Sequence, residues 1–202
     1  MKGPLLQAII FAIHFFFGLY ILAVMLRFIM QVVRASFYNP IAQFLITVTN
    51  PPLRPLRKII PGLGGIDMAS VLLLLVLQAL EIILVGLVLG MPPNPAGLII
   101  LTIAELIKLT FYIFLVLIVV RIIISWVSPQ SYYGGHNPGM DIVVSLTEPI
   151  LRPARKLIPP ISGLDLSPIA VFFAFGILQI LIIYPLIALG YALYGYPPGF
   201  TP

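Results

Sequence analysis

The chain has 202 residues, 61% of them hydrophobic and only 8% charged, with a formal net charge of +5 and no cysteine. Soluble domains normally carry roughly 25% charged residues, so a water-facing surface cannot be built here and lipid must be the main solvent. The lack of cysteine excludes disulfides, thiolate metal sites, cysteine nucleophiles and CxxCH haem attachment for this chain, while the basic balance points to membrane topology and anionic lipid rather than to nucleic acid.

The first predicted element is an apolar stretch over residues 5–26, long enough for the ~20 residues a spanning helix needs. It superficially resembles a signal peptide. The apolar run, however, exceeds the usual ~7–15 residues and no small-x-small cleavage site precedes Arg27, so it reads as a retained span. Arg27, Arg34, Arg54, Arg57 and Lys58 follow it. Within this basic segment Asn39 is placed to cap a helix that Pro40 begins. Ile41, Phe44, Leu45 and Val48 fall on one apolar stripe, with Gln43 and Thr47 off it. Pro51 is expected to end this helix after about 10 residues, because the residue before a proline is pushed out of the α region. Pro55 is expected to open a short second turn carrying Arg57 and Lys58, and Pro61 to close it, giving a stiff bent bracket on the membrane face. Asp67 is placed as a helix cap or as a partner for the basic cluster.

A second span follows over residues 68–89, then the uncharged turn MPPNPAG, then a third span over 98–127, long enough to tilt. The next loop carries Arg121, Arg152, Arg155 and Lys156, and a fourth span covers 169–194 before the uncharged tail.

The two loops are near copies. TNPPLRPLRKIIP at Thr49–Pro61 reappears as TEPILRPARKLIP at Thr147–Pro159, and RFIMQVV at Arg27 aligns with RIIISWV at Arg121. Prolines 40, 51, 55 and 61 keep step with 138, 149, 153 and 159, and Asp67 with Asp165; the second copy keeps Ile142, Val143 and Leu146 on the stripe, with Asp141 and Ser145 off it. The layout predicted is an all-α membrane protein with four transmembrane helices arranged as two parallel span–loop–span repeats, residues 1–97 and 98–202, each with a short amphipathic interfacial helix on the cytoplasmic side. Both units insert in the same sense, so their pseudo-two-fold axis runs along the membrane normal. The positive-inside rule puts both basic loops in the cytoplasm and both termini outside, with Lys2 alone opposing this.

Two groups of residues are candidates for function. Arg54, Arg57, Lys58, Arg152, Arg155 and Lys156 form the membrane-face basic motif: they either enforce topology and hold anionic lipid headgroups, or dock a partner or acidic ligand. Inside the spans, His14, Glu81, Glu105, Lys108 and Gln179 form a candidate polar layer, with Gln78 nearby. In the repeat alignment Lys108 matches His14 and Glu81 matches Gln179, and Glu105 and Lys108 share a helix face. Glu81 and Lys108 both lie ~13–17 Å from the outer turn at 1.5 Å per residue. This layer is either a satisfied cluster fixing helix register or a site for a cation or proton. Gly86 and Gly90 offer a close helix contact; Tyr112, Trp126, Tyr132, Tyr133, Tyr191, Tyr194 and Tyr196 read as interfacial anchors, and His136 as a solvated loop residue. No Walker loop, HExxH, GxSxG or paired-carboxylate motif is present.

The doubled TxPxLRPxRKxIPxxxGxD, each copy between two spans, resembles the YggT family of small bacterial membrane proteins, related to YlmG proteins of cyanobacteria and plastids. The motif maps onto Pro51, Leu53, Arg54, Pro55, Arg57 and Pro61 and onto their second-copy equivalents. The resemblance implies an integral protein of the bacterial inner membrane without an established reaction and with no catalytic residue to carry over. Bacterial members are connected with osmotic stress and potassium homeostasis, others with nucleoid distribution, cell division or cytochrome b6 maturation. The expectation is a non-enzymatic protein without a cofactor that supports ion homeostasis, with cation passage as its sharpest form. The alternative is a scaffold or assembly factor recruiting a partner through the LRPxRK motifs. The expected partners are the lipid bilayer with its anionic headgroups, and either a protein partner or further copies of the chain; nucleic acid is not expected.

Overall fold

The computed structural model describes residues 3–127, 138–158 and 165–196. These residues fold into helices α1 (Pro4–Val32), α2 (Pro40–Ile59), α3 (Met68–Val88), α4 (Pro95–Val127), α5 (Pro138–Leu157), α6 (Ser167–Leu178) and α7 (Tyr184–Tyr194). Four helical segments are long and apolar enough to cross a membrane: Pro4–Val32, Met68–Val88, Pro95–Ser125 and Ser167–Tyr194. Large apolar side chains cover their outer surfaces, Phe11, Phe16 and Phe173 among them. A surface of that kind is stable against hydrocarbon and not against water, which makes this a multi-pass membrane protein.

Local chemistry sets the ends. Prolines 4, 40 and 95 start helices where their missing N–H costs nothing. Asn39, Asp67 and Asn94 accept from the N–H groups of Ile41, Ser70 and Ala96 at 2.9, 3.4 and 3.0 Å. At the end of α3, Gly90 turns left-handed at φ 73° and lets the Met91 N–H reach Gly86 O at 2.8 Å. Gly90 is thus a helix stop, and of the Gly86/Gly90 pair only Gly86 serves packing. The fourth spanning segment is not uniform. Between α6 and α7, residues Gln179–Ile183 widen into a π turn, with the Tyr184 N–H on Gln179 O. Pro185 immediately follows and cannot donate into an ordinary α ladder, so the extra residue absorbs the mismatch.

The spanning helices pack in the order α1, α3, α4, then α7, with α2 lying against α1 and α3, and α5 against α4 and α6. The main core combines Ile21, Val24, Met25, Leu45, Leu53, Leu73 and Leu74 with Leu106, Ile113, Ile142 and Leu146.

The predicted proline bracket needs correcting. Pro51 does not end the helix and Pro55 does not open a new turn: α2 runs 20 residues through Pro51, Pro52 and Pro55, and α5 likewise runs 20 residues through Pro149 and Pro153. Pro51 and Pro52 leave the carbonyls of Thr47 and Val48 without their i+4 donors. The Tyr20 hydroxyl reaches across from α1 to the Val48 carbonyl at 3.4 Å and supplies one replacement. Ile60 then turns extended ahead of Pro61, where the helix does stop.

The predicted stripe on α2 also shifts. The buried residues are Ala42, Leu45, Thr49 and Leu53, whereas Ile41 and Phe44 are exposed, Phe44 by 64%. At the matching places on α5, Ile142, Val143 and Leu146 are buried.

Candidate functional site

Five of the spanning-segment residues singled out above, together with two tyrosines, surround one cavity of about 220 Å³. It is lined by His14 from α1, Gln78 and Glu81 from α3, Glu105 and Lys108 from α4, Tyr191 from α7 and Tyr196 beyond it. It lies in the half of the bundle nearer the α3–α4 connection, since Ile82, Val85 and Leu101 also line it. On the far side the helices close over the packed core of Ile21, Met25, Leu74 and Ile113.

Its polar groups are tied together. His14 Nδ1 is hydrogen-bonded to Glu81 Oε1 at 2.7 Å. The Gln78 amide donates to Glu81 Oε2 at 2.9 Å. Lys108 pairs with Glu105 one turn away on α4. His14 Nε2 is buried and has no protein partner. Gln179 stands apart from this group in the π turn: its Oε1 accepts from the Tyr184 hydroxyl at 3.4 Å, and its Nε2 is buried without a protein partner. Among the described residues no group of three or more His, Cys, Asp or Glu is disposed to hold a metal ion.

The basic residues of the two motifs, together with Arg27 and Arg121, divide into three kinds. Arg27 and Arg121 were read as part of the basic loops, but both are buried in the spanning helices. Arg27 Nη1 donates to the Thr49 hydroxyl at 2.6 Å, and that hydroxyl donates to Leu45 O at 2.6 Å. Arg121 Nη1 donates to the Thr147 hydroxyl at 2.8 Å, which donates to Val143 O at 2.7 Å. Arg57 and Arg155 turn to the aspartates that open the next spans: Arg57 Nε reaches Asp67 at 3.0 Å, and Arg155 Nε reaches Asp165 at 2.9 Å. Each aspartate also accepts a backbone N–H, from Ser70 at 3.4 Å and Ser167 at 2.9 Å. The third kind comprises Arg54, Lys58, Arg152 and Lys156, which are exposed.

The second loop carries an acid, Glu148, that the first loop lacks at the matching position. Glu148 accepts from Arg121 Nη2 at 2.9 Å and from Arg155 Nη1 at 2.7 Å; the matching position in the first loop is Asn50. Burial pushes the Glu148 carboxyl up, but the hydrogen bonds and charges of Arg155 and Arg121 outweigh it and hold the group below its ordinary value. Asp67 is likewise raised by burial and lowered further by Arg57 and Ser70; Asp165 is raised by burial and lowered further by Ser167 and Arg155.

The sequence reading missed the seam between α4 and α7. A Cβ on Gly97 would fall 2.4 Å from Tyr194 N, and one on Gly190 would fall 2.7 Å from Leu101 Cγ, so the two backbones touch through glycine. Gly86 is covered by the Tyr194 ring in the same way. Tyr194 and Tyr196 are therefore buried packing residues, not lipid-interface anchors. The side chain of Trp126, and Tyr132, Tyr133 and His136, lie outside the described residues.

Four apolar helices around a charged cavity define the class, a multi-pass membrane protein. The family profile described as CCB3/YggT matches the chain twice, over residues 6–88 and 100–186, and the chain belongs to that family. It is 42% identical over 174 residues to an uncharacterized protein of Pseudomonas aeruginosa, covering 85% of this chain and 86% of that one. It is 40% identical over 164 residues to an uncharacterized Vibrio alginolyticus protein (80% and 86% covered) and 40% identical over 152 residues to the uncharacterized protein YggT of Escherichia coli K12 (74% and 76%). No solved structure matches.

Proposed function

We propose that this is a non-enzymatic protein of the bacterial inner membrane, built from two span–loop–span repeats inserted in the same sense. In this reading α2 and α5 lie as amphipathic helices at the cytoplasmic face. The cavity on the opposite half takes up a small cation, proton included, in support of ion homeostasis under osmotic stress. The observation that carries the reading is the charge balance of the cavity. Two carboxylates, Glu81 and Glu105, face one ammonium, Lys108, and one imidazole, His14. Lys108 is engaged by Glu105, and among the described residues Glu81 is met by the His14 imidazole and the neutral Gln78 amide. A carboxylate in the membrane interior is stable only when neutralised, so a site of this composition favours positive ligands. The core beyond the cavity blocks a straight path, and passage across the membrane in this reading requires that core to open or further copies to complete a pathway. Purified protein in liposomes tests it: a rubidium or proton flux above that of empty vesicles is expected, reduced at least tenfold by Glu81→Gln. No flux from the wild type sinks the reading.

A second reading is favoured by the exposure of Arg54, Lys58, Arg152 and Lys156. There the two loops recruit a protein partner, as a scaffold or assembly factor in cell division, nucleoid distribution or cytochrome maturation. Flux is then absent, and charge reversal at Arg54 and Arg152 abolishes a crosslink to one specific protein.

A further inference from the structure

The two loop motifs contain the same run, Arg54-x-x-Arg57-Lys58 and Arg152-x-x-Arg155-Lys156, and the fold uses its members differently. The second arginine of each run is spent internally on an aspartate. The first arginine and the lysine stand four residues apart on one helix face. Both are exposed, and neither pairs with an acid among the described residues. Two cations one turn apart form a fork for a single phosphate group.

What lies beside the fork differs between the loops. On α2 the exposed apolar residues Ile41, Phe44 and Ile59 accompany Arg54 and Lys58. α2 packs on α1 and α3, whose own outer surfaces also carry exposed apolar side chains. On α5 the equivalent of Ile41 is Gly139, which has no side chain, and that of Phe44 is Ile142, which is buried in the core; the equivalent of Ile59, Leu157, stays exposed.

We propose that α2 is a binding site for one anionic phospholipid, its phosphate held between Arg54 and Lys58 and its acyl chains lying along Ile41 and Phe44. Arg152 and Lys156 make the same phosphate fork without the acyl strip and bind more weakly. Arg57 and Arg155 take no part. Charge complementarity selects an acidic headgroup, and the adjoining apolar strip selects a lipid over a free phosphate. A protein partner on this face is the competing outcome.

The test is native mass spectrometry of the full-length protein in detergent, titrated with phosphatidylglycerol, phosphatidylcholine or inorganic phosphate. Retained phosphatidylglycerol is expected, with little phosphatidylcholine and no phosphate adduct. Neutralising Arg54 and Lys58 together (Arg54→Gln, Lys58→Gln) should weaken phosphatidylglycerol binding about 30-fold, from two surface cations near an anionic headgroup. Arg152→Gln with Lys156→Gln should weaken it less than threefold. Phe44→Ser should weaken it while leaving the charge unchanged, which separates the acyl strip from general electrostatics. Equal retention of phosphatidylcholine, displacement of lipid by inorganic phosphate, or an unaltered affinity in the Arg54/Lys58 double variant overturns the proposal. So does a protein that co-purifies through this face and excludes the lipid.

Discussion

Arg27 and Thr49 meet inside the molecule, the guanidinium donating to the hydroxyl at 2.6 Å, and Arg121 and Thr147 do the same at 2.8 Å. Each contact joins a spanning helix to the proline-rich helix that follows it. Thr49→Val keeps the shape and removes the acceptor, leaving a buried arginine short of one charged hydrogen bond. The expected loss is about 1.5–3 kcal/mol of stability in detergent, with a similar loss for Thr147→Val. A double-mutant cycle with Arg27→Gln should return most of that energy as coupling. Additive effects in the cycle would mean that the two side chains are neighbours without being partners.

Glu148 gives the second loop an acid dependence that the first does not share to the same degree. Asp67, Glu148 and Asp165 all sit below their ordinary values when folded. Their contribution is therefore complete above about pH 4.5, the unfolded carboxylate range. It is lost as pH falls further, through the depressed folded values. Glu148→Gln should cost about 1–2 kcal/mol at neutral pH, between the figures for exposed and buried pairs, because Glu148 is partly exposed and Arg121 is not. The penalty should shrink when melting is repeated near pH 3. A penalty that stays constant with pH would remove the ion pairs from the explanation.

The α4–α7 seam leaves no room for a methyl group at residue 97, where the obstacle is backbone and not a side chain that can rotate away. Gly97→Ala should cost about 3 kcal/mol or more, seen as a lowered melting temperature in detergent. Gly18→Ala, where nothing lies within 4 Å of the added carbon, serves as the control and should be tolerated.

Arg34 occupies the left-handed region at φ 56° where α1 stops, with the Ala35 N–H closing on Met30 O at 2.9 Å. Glycine adopts that conformation without the Cβ conflict. Arg34→Gly should stabilise by about 0.5–1 kcal/mol after its greater unfolded-state freedom is counted. Destabilisation would show that the arginine side chain makes a contact worth more than the strain.

Much of the architecture was legible because lipid imposes a simple rule: a long apolar run without charges becomes a helix. The membrane segments from residue 5 onward therefore followed from hydropathy alone. His14, Glu81, Glu105 and Lys108 stood out for the opposite reason, as costly exceptions inside those runs, and the fold brings all of them around one cavity. The proline helices misled for a physical reason. Local rules end a helix before Pro51, yet Tyr20, 28 residues from Val48, supplies a donor that no local rule contains. Arg27 was misread because a positive charge after a span reads as a topology signal, while its burial depends on where Thr49 comes to lie. The identity of Thr49 with Thr147 and of Arg27 with Arg121 was the available clue. The Gly97–Gly190 contact had no local signature, since glycines are common in apolar helices and only the packing shows which ones touch.

Water-accessible polar space within the bilayer, on the side away from Arg54 and Arg152, is the premise of the proposed role. Because the chain has no cysteine, Ile82→Cys, Arg54→Cys and Arg152→Cys can each be made singly in otherwise unaltered protein and treated in intact cells with a small membrane-impermeant thiol reagent. The account predicts that position 82, in the cavity wall, reacts from outside, and that positions 54 and 152 react only after the cells are opened. A position 82 that stays inert in both preparations, or that shares its accessible side with position 54, would contradict it.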